Sequence, residues 1–573
     1  MKKSEKIIRE CWQELYSNRH DKLLATLITE LQQYNRKFPA KPSVRDWYKD
    51  AVVYSLYVDL FNVDFPGLVE KLDYLQNLGI NCIWLLPILD SPMKDGGFDI
   101  RRYDRVRREL LGLDEHASDE TVQAVFRNFL QEAKERNIRV IFDIAMNHVS
   151  DEHQWFKSAK SSVDNPFRNY FIWNDNDKKY NEARLLFKGM VNSNWEKHEE
   201  QFFFHRFYPF QPDLNYRNPN VPLAMCRNFL YWLEQGVDGF RADAIPFLWK
   251  EDDTNCENLA KTHTIVRLFR AVLNYVKPET LLLAEACQPP HEVVKYFGNE
   301  DECHAGYHFP LMPQIFKALA QQDRNPVIEI LKAENTPEIP VSCQWFLFLR
   351  NHDELTLEMV SPEDRKIIHD YYCRDPKWDF RVGEGVSSRL ANLLEENPQR
   401  IGLAFSLMFT LPGTPIIYYG DEFGRVNDKD FFEQMKKMTG YGDSRFFVRG
   451  KVNWLETESE LSNPETYSAR VYKIVNTQIL ARNKSKAFGR GKLQWVDIKN
   501  NKGENEDGIL AYLRIFNNEK ILIVNNLSDK EIKISLPDNN FNLTDLLGRK
   551  PLIDNEKFMT IIPYGFHWFS VKS

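Results

Sequence analysis

The chain has 573 residues, more than one hydrophobic core usually spans, so two or three domains are expected. A formal charge of −7 argues against nucleic acid or an anionic membrane as the main partner. No stretch reaches the ~18 consecutive apolar residues of a membrane span, and Met1 to Glu10 hold no apolar run of signal-peptide length. The eight cysteines stand singly without a CxxC pair, so a reducing, cytoplasmic setting is expected.

In chain order, residues 1–46 read as a helical extension. Ile7, Ile8, Cys11, Trp12 and Leu15, then Leu23, Leu24, Leu27, Ile28 and Leu31, recur at helical spacing, with Asp21 placed to cap the second run. Such a pair either packs on the main body or recruits a partner, and a homo-oligomer is compatible with it. From Trp47 the pattern turns to alternating strands and helices. Strands are expected at Ala51 to Phe61, Asn81 to Leu86, Ile138 to Ile144, Asp238 to Asp243, Leu281 to Glu285, Cys343 to Arg350 and Pro415 to Tyr419. Helices are expected at Gly67 to Leu78 and Asp119 to Arg136. Roughly eight such repeats over 47–485 fit a (β/α)8 TIM barrel in the α/β class. No glycine-rich phosphate fingerprint follows a strand, which weighs against a dinucleotide fold. The stretch 149–214, rich in Asn, Asp and aromatic residues, is too long for a plain loop and reads as a subdomain inserted after the third strand. Residues 486–573 read as a C-terminal antiparallel β-sandwich domain, with strands at Ile509 to Ile515, Lys520 to Asn525, Glu531 to Ser535 and Thr560 to Ile562.

A barrel builds its site from the C-terminal ends of its strands. Those ends carry Asp143, Asn147 and His148, then Arg241 and Asp243, then Glu285, then Asn351, His352 and Asp353; the loop after the second strand adds Asp99. Residues i and i+2 of a strand share a face, so Arg241 and Asp243 emerge side by side. Alone this pair reads more readily as a structural salt bridge, while His148 could be a buried structural histidine and Asp353 a cap. Their convergence instead suggests a metal cage or glycoside chemistry, and Arg241, a cation among the carboxylates, favours the sugar.

Asp143-x-x-x-Asn147-His148, Gly239-Phe240-Arg241-Ala242-Asp243, Ala284-Glu285 and Asn351-His352-Asp353 resemble the conserved regions of the α-amylase superfamily of retaining α-glycosidases and transglycosidases. Gln211-Pro212-Asp213-Leu214-Asn215 is similar to the further region of its α-glucosidase-like branch. Thr254 to Leu259, Asp301 to His304, His308 to Pro313 and Arg350 to Val360 resemble the trehalose synthases of that superfamily, which interconvert maltose and trehalose. The resemblance implies Asp243 as nucleophile, Glu285 as acid and base, and Asp353 as transition-state support. It implies Asp99, His148, Arg241, His352, Gln211 and Arg449 as sugar contacts, with Arg445 as a second arginine. Hydrolysis of maltose or trehalose by the same residues, and sugar binding without catalysis, are the alternatives.

Three departures stand out. Phe61-Asn62-Val63-Asp64-Phe65-Pro66 is too short to wrap a calcium ion. Lys250 stands where an acidic residue is typical, so no metal ligand is assigned, no cofactor is expected and calcium is disfavoured. Val448-Arg449-Gly450-Lys451-Val452-Asn453-Trp454 replaces the usual segment beyond the eighth strand. A smaller change is Ala242 between Arg241 and Asp243, where a larger apolar residue is usual; facing away from the site, it bears on packing behind the strand.

Overall fold

The structure is a computed structural model that describes residues 3–39, 44–114, 117–187, 189–535, 542–554 and 558–572. Eight parallel strands close into a barrel: β1 (Val53–Leu56), β2 (Cys82–Leu85), β3 (Arg139–Ala145), β4 (Gly239–Asp243), β5 (Leu281–Ala284), β6 (Ala305–Tyr307), β7 (Gln344–Phe348) and β8 (Thr414–Tyr418). Each pairs with its sequence neighbours, and β1 meets β8 at Val53 and Ile416 to close the ring. These strands are buried on both faces, so β2 (Cys-Ile-Trp-Leu) and β5 (Leu-Leu-Leu-Ala) are continuous apolar runs rather than alternating ones. At Gly239 a Cβ would lie 2.6 Å from the Leu281 carbonyl oxygen, so glycine lets β4 approach β5 at the start of both strands.

Two strand expectations change. The run Ala51 to Phe61 is strand only over Val53–Leu56, and Val58–Asn62 is helical; a buried apolar run does not by itself distinguish the two. The sixth strand, Ala-Gly-Tyr, is three residues long and leaves no apolar run to recognise. The helix expected at Gly67 to Leu78 is two helices, Phe65–Glu70 and Leu72–Leu78, the first capped by Asp64 through the Gly67 N–H at 2.8 Å.

The N-terminal helices α1 (Lys3–Tyr16) and α2 (Asp21–Lys37) lie against α3 (Asn220–Gln235) and α4 (Ala260–Val276), which flank β4. Ile8, Cys11, Trp12, Leu27 and Leu31 form the buried face, and Tyr16 donates to the Tyr216 carbonyl at 2.7 Å. Asp21 lies inside the first turn of α2; His20 takes the cap position and makes no capping bond. Between β3 and α3, a helix (Gln154–Ser161) and a three-stranded antiparallel sheet make up the described part of the inserted stretch. At the C-terminus a five-stranded and a four-stranded antiparallel sheet enclose Ile509, Ala511, Leu522, Val524, Ile534 and Ile561. The opposite face of the larger sheet, with Leu510, Tyr512, Ile523 and Trp568, joins the main core, and Trp568 donates to Ser406 at 2.9 Å.

Glu422, fully buried after β8, sits at the β1–β8 seam. Its Oε1 accepts from Tyr54 at 2.6 Å and Tyr74 at 2.8 Å, and Oε2 has no partner. Burial pushes its carboxyl up to about 7 against the hydrogen bonds from both tyrosines. The folded state therefore favours the protonated acid, and stability falls as pH rises from the unfolded value near 4.5 through 7. The shift amounts to a few kcal/mol, on the order of 1.4 per unit. Thermal unfolding followed from pH 5 to 8 is expected to show a shallower decline in Tm for Glu422→Gln than for the parent; parallel curves would contradict this assignment.

Candidate active site

The strand ends meet at one mouth, over a cleft of about 860 Å³. In the β3–β4 register Asp143 lies opposite Arg241, and Ala145 opposite Asp243. Arg241 is 4% exposed; its Nη1 donates to Asp143 Oδ1 and Asp243 Oδ1, each at 2.6 Å, and its Nη2 is 4.0 Å from Glu285 Oε1. Glu285 follows β5 directly, and its Oε2 accepts the Ala244 N–H at 3.0 Å. Trp84, Phe98 and Tyr307 surround the guanidinium at 5.3, 5.6 and 5.9 Å, giving it aromatic neighbours and carboxylate edges.

These contacts divide the carboxylates into unlike groups. Burial raises both Asp243 and Glu285 above ordinary carboxylate values, Arg241 opposes the rise on each, and Glu285 adds to it at Asp243. Such a pair holds on to one proton. Arg241 touches Asp243 at 2.6 Å and stands 4.0 Å from Glu285, so its charge favours the ionised form of Asp243 more strongly than that of Glu285. Burial would also raise Asp353, but its cationic neighbours outweigh it and hold the group well below the usual range. Its Oδ2 lies 3.1 Å from His352 Nε2, and its Oδ1 accepts Arg445 at 3.1 Å and Arg449 at 2.9 Å. Burial pushes His148 and His352 down to about 4, so both rings are neutral at pH 7; at Asp353 the lowering comes first from His352, which also hydrogen-bonds it, and then from Arg445 and Arg449.

Asp243, Glu285, Asp353, Arg241, His148 and His352 all line the cleft. Asp99 does not. It is fully buried behind the wall, accepting from Ser91, Lys94 N and Asp95 N at 3.0, 3.0 and 3.2 Å, because its oxygens are taken up in holding its own loop. The carboxylate this loop turns into the cleft is Asp95. Gln211 also lies behind the lining, its Nε2 3.1 Å from Asp95 Oδ2 and 3.3 Å from His148 Nε2. Arg449 sits behind Asp353, also donating to the His352 carbonyl at 2.7 Å, while Arg445 is the arginine that lines the cleft. Phe98, Glu354, Glu358 and Arg381 are among the further wall residues that the sequence did not single out. Phe98 stacks on His352 with ring centres 5.4 Å apart; its place in Gly96-Gly97-Phe98-Asp99 was the one available signal.

An ionic clasp crosses the mouth. Arg184 of the inserted stretch donates to Glu257 at 2.9 Å and to Glu358 of the loop after β7, and Arg381 donates to the other oxygen of Glu358 at 3.0 Å. A wider cleft, about 1500 Å³, opens at the far end of the barrel beside α2, where Arg139 and Asp238 pair at 3.0 Å and none of the convergent carboxylates reaches.

Residues 43–370 match the α-amylase catalytic domain, and 502–568 match the C-terminal domain of maltogenic amylase. The chain belongs to the α-amylase family. It is 37% identical to the trehalose synthase/amylase TreS of Mycobacterium tuberculosis, over 93% of this chain and 91% of that one. It is 36% identical to the trehalose synthase of Pimelobacter sp. strain R48, over 91% and 96%. The crystal structure of trehalose-6-phosphate hydrolase from Bacillus licheniformis superposes with a TM-score of 0.68 at 23% identity, over 92% of this chain and all of the other, and shares the α-amylase-family fold.

The positions that raised the question of calcium carry other bonds. Lys250 Nζ lies 2.6 Å from Asn147 Oδ1 and 2.7 Å from Asp213 Oδ2, with its side chain 2% exposed. Asn62 donates to the Gly67 carbonyl at 2.7 Å and Asp64 caps the adjacent helix. A divalent ion would have to displace the ammonium, so this donor set does not fit one. Lys250→Met would leave Asp213 buried and unpaired, at a cost of about 3–5 kcal/mol. Denaturant unfolding of Lys250→Met against the parent measures this, and an unchanged midpoint would contradict the pairing.

Proposed function

We propose that this chain is a retaining α-glucosyl-transferring enzyme of the trehalose synthase type, interconverting maltose and trehalose. The observation that carries the reading is the unequal reach of Arg241, 2.6 Å from Asp243 and 4.0 Å from Glu285. One carboxylate is thereby kept as a nucleophile and its neighbour as a proton donor, the division that retaining chemistry needs. Asp243 Oδ attacks the anomeric carbon as the glycosidic bond breaks, and Glu285 gives its proton to the departing oxygen. A β-glucosyl ester on Asp243 and a free glucose result. The glucose turns within the closed cleft and offers a different hydroxyl. Glu285 takes that proton while the new oxygen displaces Asp243: attack by the 4-hydroxyl gives maltose, and by the anomeric hydroxyl trehalose. Asp353, held ionised by His352 and its two arginines, supports the positive charge that develops on the ring. Asp95, His148, His352 and Arg445 hold the glucose.

Transfer rather than hydrolysis requires that glucose stay in and water stay out. Arg184, Glu358 and Arg381 join the inserted stretch to the β7 loop over the cleft and favour that outcome. The similarity to trehalose synthases over most of the chain points the same way. The bonds already made by Lys250 support catalysis without calcium, and the eight unpaired cysteines suit the cytoplasm. Among the described residues no helix is long and apolar enough to cross a membrane.

Purified protein given maltose, or trehalose, in the presence of EDTA is expected to form mainly the other disaccharide, with glucose a minor product. Arg184→Ala is expected to raise the share of glucose several-fold while substrate is still consumed. Glucose as the main product of the parent from the outset would replace the transferase reading with a hydrolase, and activity regained only on adding calcium would overturn the metal-free one.

A further inference from the structure

The segment beyond β8 differs from the expected family pattern, yet it delivers two arginines to Asp353. Arg449 approaches from behind. Arg445 is the more exacting case, since its guanidinium enters the cleft wall between two carboxylates that would each draw it in. Its Nη1 donates to Asp353 Oδ1 at 3.1 Å and its Nη2 to Asp95 Oδ1 at 3.4 Å. A third carboxylate grips it from outside: Asp443 Oδ1 and Oδ2 lie 3.1 and 3.0 Å from Arg445 Nε, and Oδ2 is 2.7 Å from Nη2. Asp443 Oδ1 also accepts the Arg445 backbone N–H at 2.9 Å, so one residue fixes both the main chain and the side chain of the arginine. Both are buried, at 7% and 6% exposure, and Asp443 is absent from the cleft lining.

We infer that Asp443 is a positioning residue for sugar binding, which holds Arg445 back from Asp353 and leaves one guanidinium N–H free for the glucose. Counting donors, Nε and one arm of Nη2 go to Asp443, the other arm of Nη2 to Asp95, and one arm of Nη1 to Asp353; the second arm of Nη1 has no acceptor among the described residues. The charges agree. Asp95, Asp353 and Asp443 face Arg445 and Arg449, so no single carboxylate captures Arg445 outright. With Asp443 neutral, the nearest full charge on Arg445 is Asp353, and bidentate pairing there would fill the space a sugar hydroxyl needs. The inference rests on the proposed function for the identity of the ligand, and on the geometry alone for the direction in which Arg445 would move.

A double-mutant cycle tests it, with KM and kcat measured on maltose, trehalose and 4-nitrophenyl α-glucoside for the parent, Asp443→Asn, Arg445→Ala and the pair. Asp443→Asn is expected to raise KM about tenfold on every substrate, the scale of a charge-assisted hydrogen bond, with kcat within about threefold of the parent. Asp443→Glu, which keeps the charge, is expected to recover part of the loss. The double variant is expected to match Arg445→Ala alone, because Asp443 acts only through that arginine. Additive losses in the double variant, or a parent-like KM in Asp443→Asn, would overturn the inference. If Asp443→Asn unfolds early, its Tm shows this and Asp443→Glu, read against Arg445→Ala, carries the test. A parent that turns over the aryl glucoside and neither disaccharide would refute the proposed substrates, while the cycle on the aryl glucoside still decides the role of Asp443.

Discussion

The structure around the mouth depends on Arg241. It is buried, lies among three aromatic rings, and makes two contacts of 2.6 Å, to Asp143 and Asp243. Removing one partner of such a buried set leaves an uncompensated charge, which costs far more than a surface pair is worth. Asp143 therefore serves the site although it does not line the cleft. Its carboxyl is pushed up to about 6 by burial, with Arg241 and a 2.8 Å bond from Trp84 opposing the rise, and it anchors the arginine from behind. The parallel β3–β4 register sets these groups side by side, so the electrostatics around Asp243 follow directly from strand pairing.

A related arrangement recurs around the cleft: a cation shared between side-chain oxygens of different loops, buried for Arg445 and Lys250 and exposed for Arg184. Arg445 joins Asp443, Asp353 and Asp95; Lys250 joins Asn147 and Asp213; Arg184 joins Glu257 and Glu358. Each ties together loops far apart in sequence, and together they fix the shape of the mouth. Buried ionic networks of this kind add less to stability than their number suggests, because each charge is desolvated. What they provide is one geometry, with the loops after β2, β3, β4, β7 and β8 held in register around a single cleft.

Much of this was legible in the sequence, for identifiable reasons. Parallel strands buried on both faces leave continuous apolar runs, which marked seven of the eight strands, and their polar ends marked Asp243, Glu285 and Asp353. Three-residue β6 left no run to find. Loops were less legible, since side-chain direction there depends on turns that no periodicity reveals. Asp95 and Asp99 are four residues apart in one loop, and only the fold shows that Asp95 enters the cleft while Asp99 holds the loop from behind. Arg445 and Arg449, also four apart, exchanged places in the same way. Ala242 is fully buried away from the site, as strand alternation requires.

The central claim is that Asp243, kept charged by Arg241, forms a covalent bond to glucose. A slowly released donor such as 5-fluoro-α-glucosyl fluoride, followed by proteolysis and mass spectrometry, tests it directly. The account predicts one added fluoroglucosyl group on the peptide that contains Asp243, and none in Asp243→Asn. An adduct on Glu285 or Asp353, or turnover of the donor with no adduct at any point, would contradict it.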